Sequence, residues 1–246
     1  MVATSTTSQL LKRNPRGYQA LDPDEITRTI DRLIHRIDER FQDRGLAVAC
    51  RRLHEIAVNA KERAEWIARP IVSVRIGVAL IIAFIVASVI WMFMAVRGDV
   101  GDLDTVELIQ VLEAGINDVV LLGAAIFFLA TLETRVKRRR ALDAVHELRA
   151  VAHIIDMLQL TKDPERITHP ETRTPSSPEI HMTAFELSRY LDYCAEMLSL
   201  TGKVAALYVQ DFDDGVAIAS VNEVEDLTSG LSTKIWQKLM MLHAGR

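Results

Sequence analysis

From Ile76 to Val96 the chain is apolar at every position except Ser88. At about 1.5 Å of rise per residue, such a helix is roughly 30 Å long, the thickness of a bilayer's hydrocarbon core. A soluble core helix has no need for apolar residues all round over that length. A second apolar run, Val119 to Leu132, reaches only roughly 21 Å and is too short to cross alone. A chain that crosses once and returns needs a full second crossing. Extending the run back to Leu112 supplies one, but takes in Glu113, Asn117 and Asp118. The pattern predicts an all-α membrane protein built on a two-span transmembrane helical hairpin, with transmembrane helices over 70–97 and 112–134 and a short extracytoplasmic connection with an amphipathic helix over 98–111.

Amphipathic helices flank the hairpin. Residues 1–22, polar and aperiodic, are expected to be a disordered arm. Over 23–69, Ile26, Ile30, Leu33, Ile34, Ile37 and Phe41 recur at three- and four-residue spacing. Leu46, Val48, Ala49, Leu53, Ile56, Ala57 and Ala60 continue the pattern beyond Gly45, where an interruption is expected. Pro70 should break the helix before the first span. After the second span, Leu142, Val145, Leu148, Ala152, Ile155 and Leu158 give the apolar face of a helix over 135–160, continuous with the span. Pro164, Pro170, Pro175 and Pro178 mark 161–180 as a linker and domain boundary. A C-terminal helical domain, 181–246, follows. Thr183 and Glu186 form a capping-box pattern. Gly202 is expected to break the next helix, Asp211 to Gly215 to turn, Val216 to Val221 to form a strand or a helical extension, and Asn222 with Glu225 to cap the last helix.

Charge orients the hairpin. Arg63, Arg69 and Arg75 precede or open the first span, and Arg135, Lys137, Arg138, Arg139 and Arg140 follow the second. The connection carries Asp99, Asp102, Asp104 and Glu107 beside Arg97. The positive-inside rule puts both termini in the cytoplasm, and Trp66 and Trp91 suit the two interfaces. The expected location is therefore a bacterial inner (plasma) membrane, with the lipid bilayer as partner. No apolar segment near Met1 suggests a cleaved signal peptide. Cys50 and Cys194, the only cysteines in 246 residues, argue against a disulfide framework or a cysteine zinc site. The net charge of -4 gives no sign of nucleic-acid binding.

The chemistry worth following lies on the second span. Gln110, Asn117, Ala124 and Thr131 recur every seven residues with Glu113 beside them, forming a polar or small stripe on one helical face. Polar groups inside a bilayer are costly and turn towards a bundle interior or an aqueous cavity. The stripe is then either a helix-packing seam, the preferred reading, with Glu113 and Asp118 at head-group level above a tilted or locally thinned bilayer, or the lining of a pore with Glu113 and Asp118 as acidic rings. The layout of cytosolic helix, span, short acidic connection, span and cytosolic helix resembles that of mitochondrial calcium uniporter subunits. The resemblance is architectural alone: the Trp-Asp-x-x-Glu-Pro signature is absent, and no residue roles carry over.

The remaining signals are weaker. Arg135, Lys137, Arg138, Arg139 and Arg140 suit contact with anionic lipid. His146 and His153, with Asp156, suit polar contact between packed helices or with solvent, in preference to a proton switch; two helical turns separate the histidines, too far to share one metal ion comfortably. Asp211 to Gly215 fails the calcium-loop template, with glycine one place early and Asn222 where a glutamate belongs. Thr201-Gly202-Lys203 lacks the rest of a phosphate loop. No catalytic, metal or cofactor motif emerges. The expected function is a non-enzymatic membrane scaffold or accessory subunit that self-associates, or joins a larger membrane complex, through its cytosolic helices. The alternative is a homo-oligomeric cation or proton channel lined by the second span.

Overall fold

The computed structural model describes residues 20–41, 45–98, 105–165, 175–177 and 181–244. All regular structure among these residues is helical: α1 (Pro23–Arg40), α2 (Gly45–Ala68), α3 (Val72–Gly98), α4 (Thr105–Leu160), α5 (Ala184–Leu207) and α6 (Gly215–Ala244). The expected N-terminal arm over 1–19, the acidic connection with Asp99, Asp102 and Asp104, and linker residues 166–174 and 178–180 lie outside the described residues. The chain divides into two compact units, one formed by 1–68 with 140–246 and the other by 69–139.

The helices of the first unit start where their sequences supply caps. Asp22 accepts hydrogen bonds from the Asp24 and Glu25 amides, with Pro23 in the first turn of α1, where a missing N–H costs nothing. Thr183 and Glu186 make the full reciprocal capping box at α5. At α6, Asp214 accepts the Ala217 amide at 3.0 Å. That cap settles the ambiguous stretch 216–221, which is the first part of α6 rather than a strand. It also places Asn222 and Glu225 inside the helix, where neither can cap its start. The chain leaves helix at Ala68 and re-enters at Val72, around Pro70.

One apolar core holds this unit together. It includes Leu33 and Ile37 of α1, Leu53 and Ile56 of α2, Val145, Leu148 and Ile155 of α4, Leu191 and Leu198 of α5, and Val224 and Ile235 of α6. Residues 181–246 therefore do not form a separate C-terminal domain. Their helices complete the core that the earlier helices begin, with α5 against α1, α2 and α6. Phe41 meets Tyr190 and Tyr193 edge to face, with centroids 5.5 and 6.1 Å apart. Arg36 of α1 pairs with Glu196 of α5. Lys238 of α6 donates to the carbonyls of Gln159 (2.8 Å) and Lys162 (3.3 Å), supplying a cation and donors where α4 runs out of its own.

Glycine marks close approach here. Gly202 does not break α5; a Cβ there would stand 3.3 Å from Thr228 Oγ1, so the absent side chain admits α6. At the start of α2, a Cβ on Gly45 would meet Leu158 Cδ2 at 2.9 Å.

The second unit holds α3 and the part of α4 up to Arg139. Among the described residues, two helices are long and apolar enough to cross a membrane, and their apolar windows are not buried in the protein. On α3 the partly covered positions are 74, 77, 78, 81, 85 and 88; on α4 they include 115, 122, 126, 129, 133 and 136. Both sets follow helical spacing, as facing stripes do. Gly77 lies against Leu129, where a Cβ would be 3.7 Å from Leu129 Cδ1. Near it, the Ile71 amide donates to Glu133 at 3.3 Å. The residue numbers fall along α4 as they rise along α3, so the helices run antiparallel over this stretch.

A shared core predicts shared melting. Leu33→Ala in α1 and Leu198→Ala in α5 should each cost about 2–5 kcal/mol, the range for emptying a buried leucine site. Both should lower the same thermal transition, followed by circular dichroism of the detergent-solubilised full chain. Val48→Ala, on an exposed position of α2, should change stability by no more than about 0.5 kcal/mol. A first transition moved by Leu33→Ala and untouched by Leu198→Ala would show two independent domains.

Candidate functional site

The positions of α4 that face α3 are not those of the polar stripe. Gln110, Glu113, Asn117 and Ala124 are exposed on α4, while Gly115, Leu122 and Leu129 are partly covered. Gly77 of α3 lies against Leu129, on a face of α4 neighbouring these exposed positions. Thr131 is partly covered, and its hydroxyl donates to the Phe127 carbonyl at 2.8 Å, which satisfies it within its own helix. Asp118 belongs to α4, but its side chain lies outside the described residues. Beside this face, Ala124, Phe127, Phe128, Thr131, Leu132 and Arg135 line a groove of about 290 Å³. The small Ala124 leaves a notch between the larger rings, the kind of hole that a side chain of a facing helix fills.

The basic run does not act as one cluster. Arg135 and Arg139 are exposed, and Arg138 is partly covered. Lys137 pairs with Glu133 at 2.8 Å, one helical turn back. Arg140 stacks on the Trp66 ring at 3.9 Å from the centroid and donates to the Trp66 carbonyl at 3.2 Å. The histidine group does not assemble either. His146 and His153 are exposed, and Asp156 accepts a hydrogen bond from Gln159 at 2.6 Å. No cluster of three His, Cys, Asp or Glu side chains occurs among the described residues.

The constellation that sequence reading missed joins α2 to α4. Glu147 accepts from Arg52 through one oxygen (2.6 Å) and from Arg63 through the other. The hydrogen bond to Glu147 raises the Arg63 pKa further above its ordinary value, so the guanidinium is permanently charged. Burial raises the pKa of the neighbouring Tyr208 phenol, against the pull of Arg63. Arg63, Trp66, Ile67, Arg140, Asp143, Ala144 and Glu147 enclose a cavity of about 290 Å³ within this unit. One signal was available: Arg63, Trp66, Arg140 and Glu147 each fall at the margin of an apolar helical face. Their partnership, however, spans 84 residues of sequence between Arg63 and Glu147.

No protein-family model, curated protein or solved structure matches the chain.

Both cysteines are buried in the core. Burial pushes the Cys50 thiol up to about 12 and the Cys194 thiol above its ordinary range. Above about pH 9 the unfolded chain ionises its thiols while the folded chain keeps Cys50 protonated. The Cys50 contribution to stability is therefore intact below pH 9 and is lost as the pH rises towards 12. Native protein at pH 8 should leave both thiols unmodified by a maleimide and should label at both once unfolded in guanidinium, read by intact mass. Fast labelling of either thiol in the native state would contradict the closed core.

Proposed function

We propose that the chain is a non-enzymatic integral membrane scaffold or accessory subunit that self-associates through the open polar face of α4. In this reading α3 and the first part of α4 cross the bilayer as a hairpin. The charge pattern supports an orientation with both termini in the cytoplasm. The observation that carries the proposal is the exposure of Gln110, Glu113 and Asn117 on a helix whose α3-facing side lies elsewhere. Hydrocarbon cannot hydrogen-bond these groups, so a lone hairpin would leave them unsatisfied wherever they meet lipid. A second copy covers them, and its side chains fill the groove beside Ala124.

The association surface differs from the one expected. The amphipathic helices around the hairpin pointed to cytosolic contacts, but their buried faces close on one another within a single core. This moves the proposed self-association to the membrane segment. A second reading, a homo-oligomeric cation or proton channel, draws on Glu113, which shares the exposed face with Asn117. It requires that this face surround an axis rather than meet one neighbour.

Cysteine scanning in native membranes tests the reading, in a background where Cys50 and Cys194 are replaced by serine or alanine. Ala124→Cys should give a cross-linked dimer on mild oxidation. Leu129→Cys, on the side towards Gly77, should not. Equal cross-linking at both positions, or none at either, would defeat the proposal. Liposome flux separates the two readings: conductance that Glu113→Gln alters by about tenfold requires the channel, whereas flux indistinguishable from empty vesicles leaves the scaffold.

A further inference from the structure

The cavity between α2 and α4 has the size and charge arrangement of a head-group site. At about 290 Å³ it lies at the small end of ligand pockets. Its walls carry two guanidiniums, Arg63 and Arg140, and two carboxylates, Asp143 and Glu147. These are not equally available. Glu147 has both oxygens engaged, by Arg52 and by Arg63. Arg140 and Asp143, three residues apart on α4, are close enough to pair with each other. They do not: Arg140 turns onto the Trp66 ring and its carbonyl, and Asp143 is exposed with no ion pair among the described residues.

The result is a guanidinium held over an indole, with N–H groups beyond the one bonded to Trp66, and a separate carboxylate one turn away. A stacked, oriented guanidinium suits a phosphate. A carboxylate beside it disfavours a ligand that is anionic throughout and favours one carrying an ammonium near the phosphate. Trp66, 47 % exposed, supplies the amphipathic ring that sits at head-group depth. It stands four residues before Pro70 in sequence, and Arg140 is the last residue of the basic run.

We propose that this cavity binds a phosphoethanolamine head group of the inner leaflet, with its phosphate on Arg140 and its primary ammonium on Asp143. Choline offers the carboxylate no N–H donor, and a glycerol head group offers it no cation. The site selects lipid by head group, whereas the basic residues around it respond to charge alone. This inference rests on the membrane-spanning reading above.

The test uses the full chain in nanodiscs of phosphatidylcholine mixed equally with phosphatidylethanolamine or phosphatidylglycerol, with retained lipids counted by native mass spectrometry. Phosphatidylethanolamine should be retained over phosphatidylcholine by about tenfold, the size of one charge-assisted hydrogen bond. Asp143→Asn should abolish that preference. Because Asp143 is exposed and unpaired, this variant should melt like the parent, which keeps the test independent of folding. Arg140→Met should lower retention of every phospholipid at the site. Glycerophosphoethanolamine should compete for the site in detergent and inorganic phosphate should compete less well, which assigns recognition to the whole head group. Equal retention of the three lipids, preference for phosphatidylglycerol, or a preference unchanged by Asp143→Asn would overturn the head-group assignment alone. Release of the protein from membranes by alkaline carbonate would instead overturn the membrane reading beneath it.

Discussion

Hydrocarbon offers no hydrogen bonds, and in the membrane-spanning proposal that constraint governs how the segment from Val72 to Arg135 can be used. A helix satisfies its own backbone there, but Gln110, Glu113 and Asn117 need partners from elsewhere wherever they meet lipid. The packing of α3 decides what those partners can be. Gly77 of α3 lies against Leu129 of α4, and the partly covered positions of α4 include Gly115 and Leu122. The polar positions lie on a different face of the same helix. Gln110, Glu113 and Asn117, all costly to leave in lipid, are thus exposed in the helical pair, which is the physical basis for proposing a second copy.

The same helix contributes to both compact units. Its last third carries Ala141, Val145, Leu148, Ala152 and Ile155 at alternating four- and three-residue spacing, and all five are fully or nearly fully buried. That regularity makes α4 a strut in the helical core as well as a membrane-length element. Lys238 then secures its end by donating to the last exposed carbonyls and to the Gln159 side chain at 2.7 Å. The core-facing sides of α1, α2, α5 and α6 are also buried, while Met157 and Leu160 of α4 and Trp236, Met240 and Met241 of α6 stay exposed. The unit's salt bridges are mostly half exposed and add little to stability singly. Arg63 and Glu147 matter more for shaping the cavity beside Trp66 than for holding α2 to α4.

The helices were largely legible in the sequence because periodicity and capping are local. The three- and four-residue spacing from Ile26 to Ile37, the Thr183–Glu186 box and the Pro70 interruption all report on neighbours within a turn or two. The long-range pairings were not legible. A proline-rich stretch signals a loop equally well whether the chain beyond it folds apart or returns to the same core, so 181–246 read as a separate domain. Gly202 read as a helix break because its reason is a neighbouring helix, which a single strand of sequence does not display. Arg63 was read only as a positive charge ahead of the first span, Glu147 drew no reading at all, and His146 and His153 are both exposed. The seven-residue stripe on α4 was visible, but which face α3 would take was not, since Gly77 gives no sign of its partner.

The most direct measurement is the free energy of self-association in lipid, from energy transfer between donor- and acceptor-labelled full-length chains diluted progressively in phosphatidylethanolamine–phosphatidylglycerol vesicles. Reversible association that weakens by about fivefold to thirtyfold on Asn117→Leu, the equivalent of about 1–2 kcal/mol for a membrane-buried polar contact, with no change in the melting of the helical unit, is the predicted result. A chain that stays monomeric at every dilution, or one whose association is indifferent to Asn117 and Ala124, would contradict the central claim.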